Sequence, residues 1–230
     1  MRTLTRDVQE NLTPHKAFEI LVEGNKRFVN NLRFNRNLLQ QVNDTSAGQY
    51  PFAIVLSCID SRTSAELVFD QGLGDIFSVR VAGNVLNEDI LGSMEFACQI
   101  AGSKLIVVLG HTRCGAVRGA CNHMELGHLT GLLSKIGPAM YDVQRVSGGQ
   151  LDEDAFIERV AIENTRHQMR AVIERSPILE HLYRDGHIGL VGGVYSVETG
   201  EVTFFEERFA EVNGGEAGVP AGVGPAAGAP

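Results

Sequence analysis

Apolar and small residues recur at helical spacing near the start of the chain. Thr13 and Pro14 predict a helix start, with threonine as the N-cap and proline at the first helical position. The residues that follow at spacings of three and four predict one buried helix face that ends near Val29, and they are Ala17, Ile20, Leu21, Gly24 and Phe28. The polar residues 1–12 predict an exposed arm or short helix, and residues 30–50 predict a loop with a little helix.

The apolar pattern then changes to short continuous runs at 52–56 and 105–109, which predict strands buried on both faces, as in parallel sheets. Further strands are predicted at 76–81, 187–191 and 202–205, and helices at 63–69, 88–101, 117–121, 129–146 and 152–175. Strands that alternate with helices favour an α/β fold. We therefore expect a central, mainly parallel β-sheet flanked by helices, with an N-terminal helical arm.

The length of 230 residues and an apolar fraction of 43% are sufficient for one domain with a sizeable core. We expect an arm over residues 1–12 and a domain over 13–212. Residues 213–230 consist mostly of glycine, alanine, proline and valine, a low-complexity composition that predicts a disordered tail.

The charge and the distribution of apolar residues limit the partners and the compartment. A net charge of −8 argues against nucleic acid, because phosphate binding requires surplus lysine and arginine. No apolar run approaches the ~20 residues that span a bilayer, and the first residues do not form a secretory signal. We expect a cytoplasmic protein without a membrane partner, in which disulfides between its four cysteines are not expected.

Two motifs that carry possible metal ligands each follow a predicted buried strand. Cys58-x-Asp60-x-Arg62 follows the first strand, and His111-x-x-Cys114 follows the run 105–109. The carboxyl ends of parallel strands share one edge of a sheet, and sites form there where the strand order reverses. Two thiolates and one imidazole form the ligand set of a catalytic zinc whose fourth position is open. An arginine fork beside a carboxylate can hold that carboxylate ionised and fixed.

Each motif taken alone has a simpler interpretation. A cysteine after a strand is typically a packed thiol, and a single His-x-x-Cys is weak evidence for a metal. Cys98 lies on the apolar face of a predicted helix and Cys121 has no paired motif, so both are expected to be structural. The polar residues of the 152–175 helix, Glu158 among them, are expected to form a solvated face. The joint occurrence of the two motifs favours the metal site.

The motifs C-I-D-S-R at 58–62 and H-T-R-C-G at 111–115 resemble the two signatures of the β-carbonic anhydrases. The segments 23–28, 72–84 and 192–200 are also similar to that family, and the resemblance covers residues 13–207. It implies an enzyme that reversibly hydrates carbon dioxide to bicarbonate and a proton. The attack is made by zinc-bound hydroxide, which an Asp-Arg dyad orients.

The resemblance also implies roles for individual residues. Cys58, His111 and Cys114 are the expected ligands of Zn²⁺, and Asp60 and Arg62 form the expected catalytic dyad. The residues expected to bind substrate are Gln49, Phe77 and Gly115. The family forms dimers, often paired into tetramers, with the active site at the dimer interface, so we expect a homodimer or homotetramer.

The chain departs from the family pattern at two positions. Phe96 replaces a common tyrosine, which removes any role for a hydroxyl there. Val55 replaces the tryptophan of members that have a second, regulatory bicarbonate site. We therefore expect that site to be absent, although Arg80 and Tyr195 match other parts of it, and we expect an open resting site with Asp60 held off the metal.

Three other functions remain open. A carbonyl sulfide or carbon disulfide hydrolase would use the same scaffold and the same motifs. A non-catalytic zinc protein that senses bicarbonate would not need the intact Asp60 and Arg62. A thiol redox protein would require a reactive, exposed Cys114, and the sequence contains no C-x-x-C motif.

Overall fold

The computed structural model describes residues 3–210, and the elements in that range follow the predicted alternation. The helices are α1 (Arg6–Glu10), α2 (Pro14–Val29), α3 (Leu38–Thr45), α4 (Ala65–Val68), α5 (Glu88–Glu95), α6 (Gly115–Cys121), α7 (Gly127–Leu133), α8 (Gly137–Ser147), α9 (Glu153–Arg175) and α10 (Pro177–Arg184). The strands are β1 (Ala53–Ser57), β2 (Ile76–Arg80), β3 (Leu105–His111), β4 (Gly189–Tyr195) and β5 (Val202–Arg208). The predicted domain end at residue 212 and the predicted tail 213–230 lie outside the described residues.

The five strands form one sheet in the order β2-β1-β3-β4-β5. The first four are parallel, and β5 pairs antiparallel with β4. Every residue of β1 and β3 is buried, and their side chains alternate between two helical layers. Val55 and Val107 pack into the core with α2, whereas Leu56 and Val108 pack into the core with α5 and α9. The predicted mainly parallel α/β fold is confirmed.

Some elements differ from the sequence prediction. The helix predicted over 129–146 is broken into α7, a 3₁₀ turn (Ser134–Ile136) and α8. Pro138 lies in the first turn of α8, where its missing N–H is tolerated, and that position favours a new helix rather than continuation. The predicted helix 88–101 continues past α5 as a π-helical turn (Phe96–Ile100), and α10 was not predicted.

The N-terminal arm contains a helix, as predicted, but it is not exposed throughout. Gln9 of α1 is buried, and its Nε2 donates hydrogen bonds to the carbonyl oxygens of Pro51 (2.7 Å) and Ala101 (2.8 Å). These bonds fasten α1 to the body of its own chain at the amino ends of β1 and β3. Within residues 3–210, no helix has the length and apolar character required to cross a membrane.

Candidate metal centre

The strand order brings the two sequence motifs to the same crevice. β1 lies between β2 and β3, so the chain leaves the carboxyl ends of β1 and β3 toward opposite sides of the sheet. Cys58 directly follows β1, and His111 is the last residue of β3. The ligand atoms of Cys58, His111 and Cys114 all lie within 4.8 Å of one another, and all three residues are buried.

The imidazole of His111 is oriented by its own loop. Its Nδ1 lies 2.9 Å from the carbonyl oxygen of Thr112, so Nδ1 carries the proton and donates it there. Its Nε2 is buried and has no hydrogen-bond partner. A buried polar atom without a partner is costly, whereas a metal ligand is commonly an imidazole nitrogen whose other nitrogen is hydrogen-bonded. The arrangement therefore fits a metal ion between His111 and the two sulfurs.

The two thiols differ in their affinity for protons. A hydrogen bond from Cys114 lowers the pKa of the Cys58 thiol against the effect of burial, and the backbone N–H of Gly83 acts in the same direction. The Gly83 nitrogen lies 3.4 Å from the Cys58 sulfur. The pKa of the Cys114 thiol is raised by its interaction with Cys58 and by burial. Cys58 thus provides the first thiolate, and a cation held by both sulfurs would have to displace the proton of Cys114.

Asp60 and Arg62 form a bidentate ion pair at the mouth of the crevice. Arg62 Nε donates to Asp60 Oδ1 at 2.9 Å, Arg62 Nη2 donates to Oδ2 at 2.8 Å, and the Arg62 backbone N–H donates to Oδ1 at 3.0 Å. The hydrogen bonds from the side chain and backbone of Arg62 hold the pKa of Asp60 well below its usual range, against the opposing effect of burial. The carboxylate is therefore ionised at neutral pH.

The backbone that carries Cys58 and Asp60 is held by two neighbours whose roles the sequence patterns do not indicate. Arg80, at the end of β2, donates to the carbonyl oxygens of Cys58 (3.0 Å) and Asp60 (2.7 Å). The hydroxyl of Thr63 contacts the same two oxygens, at 3.2 Å and 2.9 Å. The loop after β1 is consequently fixed before any ligand binds.

Two of the three residues expected to bind substrate lie away from this centre in the same chain. Gln49 precedes β1 and borders a cavity with Arg6 and Lys104 at the amino edge of the sheet. The five residues of β1 separate it from Cys58 by about 17 Å. Phe77 is in register with Ile54 in the amino half of β1, and its ring meets that of Phe96 at 6.3 Å.

The third, Gly115, directly follows Cys114 and is exposed, with no atom within 4 Å of the position that a side chain would occupy. It alone of the three lies beside the metal ligands within one chain.

The remaining cysteines lack the properties of reactive thiols. Cys98 packs in the core with α10 and β4, and burial raises its pKa to about 12. Burial likewise raises the pKa of Cys121 to about 11. Cys114 itself is buried, which argues against the redox alternative because reactive cysteines are accessible and have a lowered pKa.

Comparison with known proteins gives a consistent result. The family model described as carbonic anhydrase matches residues 53–202. Carbonic anhydrase 2 of Mycobacterium tuberculosis is 34% identical over 196 residues, which cover 83% of this chain and 92% of the relative. Among solved structures, the β-carbonic anhydrase CcaA is 26% identical and superposes with a TM-score of 0.67 over 82% of this chain and 95% of that one.

A second solved structure, of tetrameric β-carbonic anhydrases from Sordaria macrospora, is 19% identical and shares the fold. It has a TM-score of 0.65, over 81% of this chain and 95% of the neighbour.

Proposed function

The chain belongs to the β-class carbonic anhydrases, and from that premise we propose that Cys58, His111 and Cys114 hold a zinc ion where carbon dioxide is hydrated to bicarbonate and a proton. The observation that carries the proposal is the buried, unpartnered Nε2 of His111 facing two thiols within 4.8 Å. Soft sulfur donors with one imidazole favour zinc over magnesium or calcium. A bound zinc ion supplies Lewis acidity, which lowers the pKa of water toward neutrality.

Asp60 is suited to orient the water that reacts. A carboxylate offers about four acceptor positions, and Arg62 fills three of those of Asp60. The free position on Oδ2 accepts a hydrogen bond from the reacting water and thereby turns the oxygen lone pair toward carbon dioxide. Because Asp60 is ionised, it acts as an acceptor throughout the pH range in which the enzyme works.

Arg62 is suited to keep the centre open. Its guanidinium grips both oxygens of Asp60, so the carboxylate is held by arginine instead of approaching the thiols and His111. Lysine would provide the charge without the fork. With valine at position 55, the regulatory tryptophan of other members is missing, which supports an open resting site.

A second copy of the chain is the proposed source of Gln49 and Phe77 at each centre. Several large apolar residues in the segments flanking the centre and on α3 are strongly exposed, and exposed apolar patches mark interaction surfaces. They are Leu38, Leu39, Ile59, Leu67 and Leu73. Ile59 lies next to Cys58, so a partner that covers Ile59 would also reach the crevice. We propose a homodimer or homotetramer, and the Sordaria neighbours, which are described as tetrameric, support oligomerisation.

The test is carbon dioxide hydration by stopped flow on zinc-loaded protein between about pH 6.5 and 9, the range in which metal-activated water ionises. Asp60→Asn should lower kcat by about 100-fold, a typical loss when a preorganised hydrogen-bonding group at the reacting oxygen is removed. Asp154→Asn provides a matched control, because Asp154 also pairs with an arginine, Arg118, at 2.6 Å, but on the surface. That control should retain normal activity.

Stoichiometric zinc without hydration in the unmodified protein would refute the proposed reaction. Turnover of carbonyl sulfide or carbon disulfide by the same preparation would then favour the hydrolase alternative. Zinc and bicarbonate binding with neither reaction would favour a sensor. Equal activity in Asp60→Asn and the unmodified protein would remove Asp60 from the mechanism and leave the metal assignment in place.

A further inference from the structure

Helix α9 carries buried amide side chains where a helix normally has apolar ones. Asn164 is fully buried near the middle of the helix and Gln168, one turn later, is almost so. Asparagine is disfavoured in helix interiors, and burial of an amide is costly unless its hydrogen bonds are made. A specific set of partners must therefore stabilise these two residues.

The partners belong to the segment that follows β2. Asn164 Nδ2 donates to the carbonyl oxygen of Gly83 at 2.9 Å, and Asn164 Oδ1 accepts from Gln168 Nε2 at 3.0 Å. Gln168 Oε1 in turn accepts from the backbone N–H of Leu86 at 2.9 Å. Two adjacent amides of α9 thus hold both ends of the segment 83–86.

Gly83 connects this segment to the metal centre. Its backbone N–H donates to the sulfur of Cys58 at 3.4 Å, while its carbonyl oxygen is the group that Asn164 holds. Its φ of 70° lies in the left-handed region, which glycine adopts at little cost. A side chain there would also meet Ile136 at 3.0 Å. The position of Gly83 is thus set by Asn164 on one side and by tight packing on the other.

We propose that Asn164 is a positioning residue for the metal centre, which fixes Gly83 so that its N–H stays on the sulfur of Cys58. The inference rests on the proposed zinc function. A hydrogen bond to a thiolate withdraws electron density from the sulfur, so the sulfur donates less charge to the metal and the metal remains a stronger Lewis acid. Groups that orient metal ligands in this way commonly change metal affinity or activity by 10- to 100-fold when removed.

The test uses Asn164→Leu, which approximates the volume of the side chain and removes its hydrogen bonds. In the cobalt-substituted protein, the sulfur-to-cobalt charge-transfer band should move to longer wavelength, because the sulfur lone pair is no longer stabilised by the Gly83 N–H. The zinc dissociation constant, measured by competition with a chelator, should rise about tenfold, because Cys58 is no longer held in position and this loss outweighs the stronger donation by the sulfur. The pH midpoint of kcat should also move upward.

Asn25→Leu is the matched control. Asn25 is a buried helical asparagine with three hydrogen bonds, to Val68, Gly200 and Val202, none of which is a candidate ligand. Both substitutions should lower the thermal stability, but only Asn164→Leu should change the cobalt band. If Asn164→Leu does not fold, Gln168→Met loosens Asn164 more mildly and should move the band in the same direction.

The possible outcomes distinguish this inference from the proposed function. A cobalt band that is identical in the unmodified protein, Asn164→Leu and Gln168→Met overturns the positioning role. A cobalt protein without any thiolate charge-transfer band overturns the metal centre, and the inference with it. A shifted band in a protein that binds zinc but does not hydrate carbon dioxide supports the positioning role and refutes the reaction.

Discussion

Asp70 is a buried carboxylate in the left-handed conformation, and two arginines balance its charge. Arg27 Nε donates to it at 2.6 Å, Arg36 donates through Nη1, and the backbone N–H of Phe34 contributes at 3.3 Å. Burial alone would raise the pKa of Asp70, but the hydrogen bonds from the two arginines outweigh burial and lower it. The ionised side chain therefore stabilises the fold by tying the segment after α2 to the end of α4.

Asp70→Asn should lower the free energy of unfolding at pH 7 by about 3 kcal/mol, because it leaves buried arginine charge without its partner. Because the folded pKa lies below the unfolded value of about 3.9, the stabilisation is present above about pH 4 and is lost as the pH falls through the folded pKa. Urea unfolding of both proteins from pH 7 to pH 3 measures the effect, and the two stabilities should converge toward acid. A constant difference across that range would contradict the assigned linkage.

The sequence patterns indicate the candidate ligands and the dyad because these residues stand in short motifs directly after buried strands. The roles of Gly83 and Asn164 cannot be predicted from such motifs, for a physical reason. Their hydrogen bond joins positions 81 residues apart and depends on how α9 crosses the sheet. The one local signal is an asparagine and a glutamine, one turn apart, on the inward face of a long helix.

At the scale of elements, the loop between β3 and α6 is held in an unusual conformation by α9. Arg113 lies between two candidate ligands with a φ of 55°, which is uncommon for a residue other than glycine. Its backbone N–H donates to Glu158 of α9 at 2.7 Å, and its side chain pairs with Glu198 in the β4–β5 turn. Glu158, expected on a solvated face of α9, is half-buried, and its carboxylate also supports this loop.

Glu158→Ala should increase hydrogen exchange at the backbone amide of Arg113 by about tenfold or more, because local opening no longer breaks a hydrogen bond to a carboxylate. Exchange measured on the metal-free protein isolates this effect from metal binding. Glu153→Ala is the control, since Glu153 is exposed on the same helix and pairs with the side chain of Arg118, at 3.4 Å. Unchanged exchange at Arg113 in Glu158→Ala would show that the turn holds its shape unaided.

The elements with the clearest patterns are confirmed, and the differences have local causes. Helix α2 begins at Pro14 and ends at Val29, as predicted, because the N-cap at Thr13 and the apolar face both indicate the same helix. β4 extends well beyond its predicted end, through Gly192 and Gly193, which ordinarily weaken a strand. A side chain at position 192 would lie 2.2 Å from the sulfur of Met169, so glycine there permits α9 to pack against the sheet. Only the packed structure reveals that requirement.

At the scale of the whole molecule, the residues expected to bind substrate lie at opposite edges of one sheet. Gly115 adjoins the metal ligands, whereas Gln49 lies at the amino edge with Lys104. A two-fold arrangement of two chains can bring the amino edge of one chain to the crevice of the other, since each partner in such a dimer presents the same surface. Each centre would then contain side chains from both copies.

Mixing two variants, each of which lacks one proposed residue at every centre, tests this arrangement. Gln49→Ala and Asp60→Asn, refolded together in equal amounts, should recover about a quarter of the unmodified activity, because random pairing gives half mixed dimers with one intact site each. Stopped-flow hydration before and after mixing provides the measurement.

Asp60→Asn mixed with Arg62→Leu is the control, since these residues serve the same centre from the same chain and should not complement. If Gln49 acts on its own chain, the first mixture should also recover nothing.

The sequence predicts the class of sheet and the edge where the motifs meet. It does not predict the distance between Gln49 and the motifs, because that distance depends on strand direction and on where the N-terminal segment docks. Gln9 illustrates how docking of the N-terminal segment depends on the folded chain. It is a polar residue in a polar segment, yet it is buried because the backbone oxygens of Pro51 and Ala101, 50 positions apart, meet beside it.

The candidate ligands are split between the ends of β1 and β3, with 53 positions between Cys58 and His111. Of the three candidate ligands, an unfolded chain therefore offers a cation only the local pair His111 and Cys114, and the third donor arrives when the two strands pair. A bound ion closes that long loop as a cross-link does, and it stabilises only chains that have already built the sheet. The amount of metal bound per chain therefore measures the natively folded fraction of a preparation. When a variant is loaded with metal to completion, a low metal content indicates a folding defect, and a full metal content with low activity indicates a defect of chemistry.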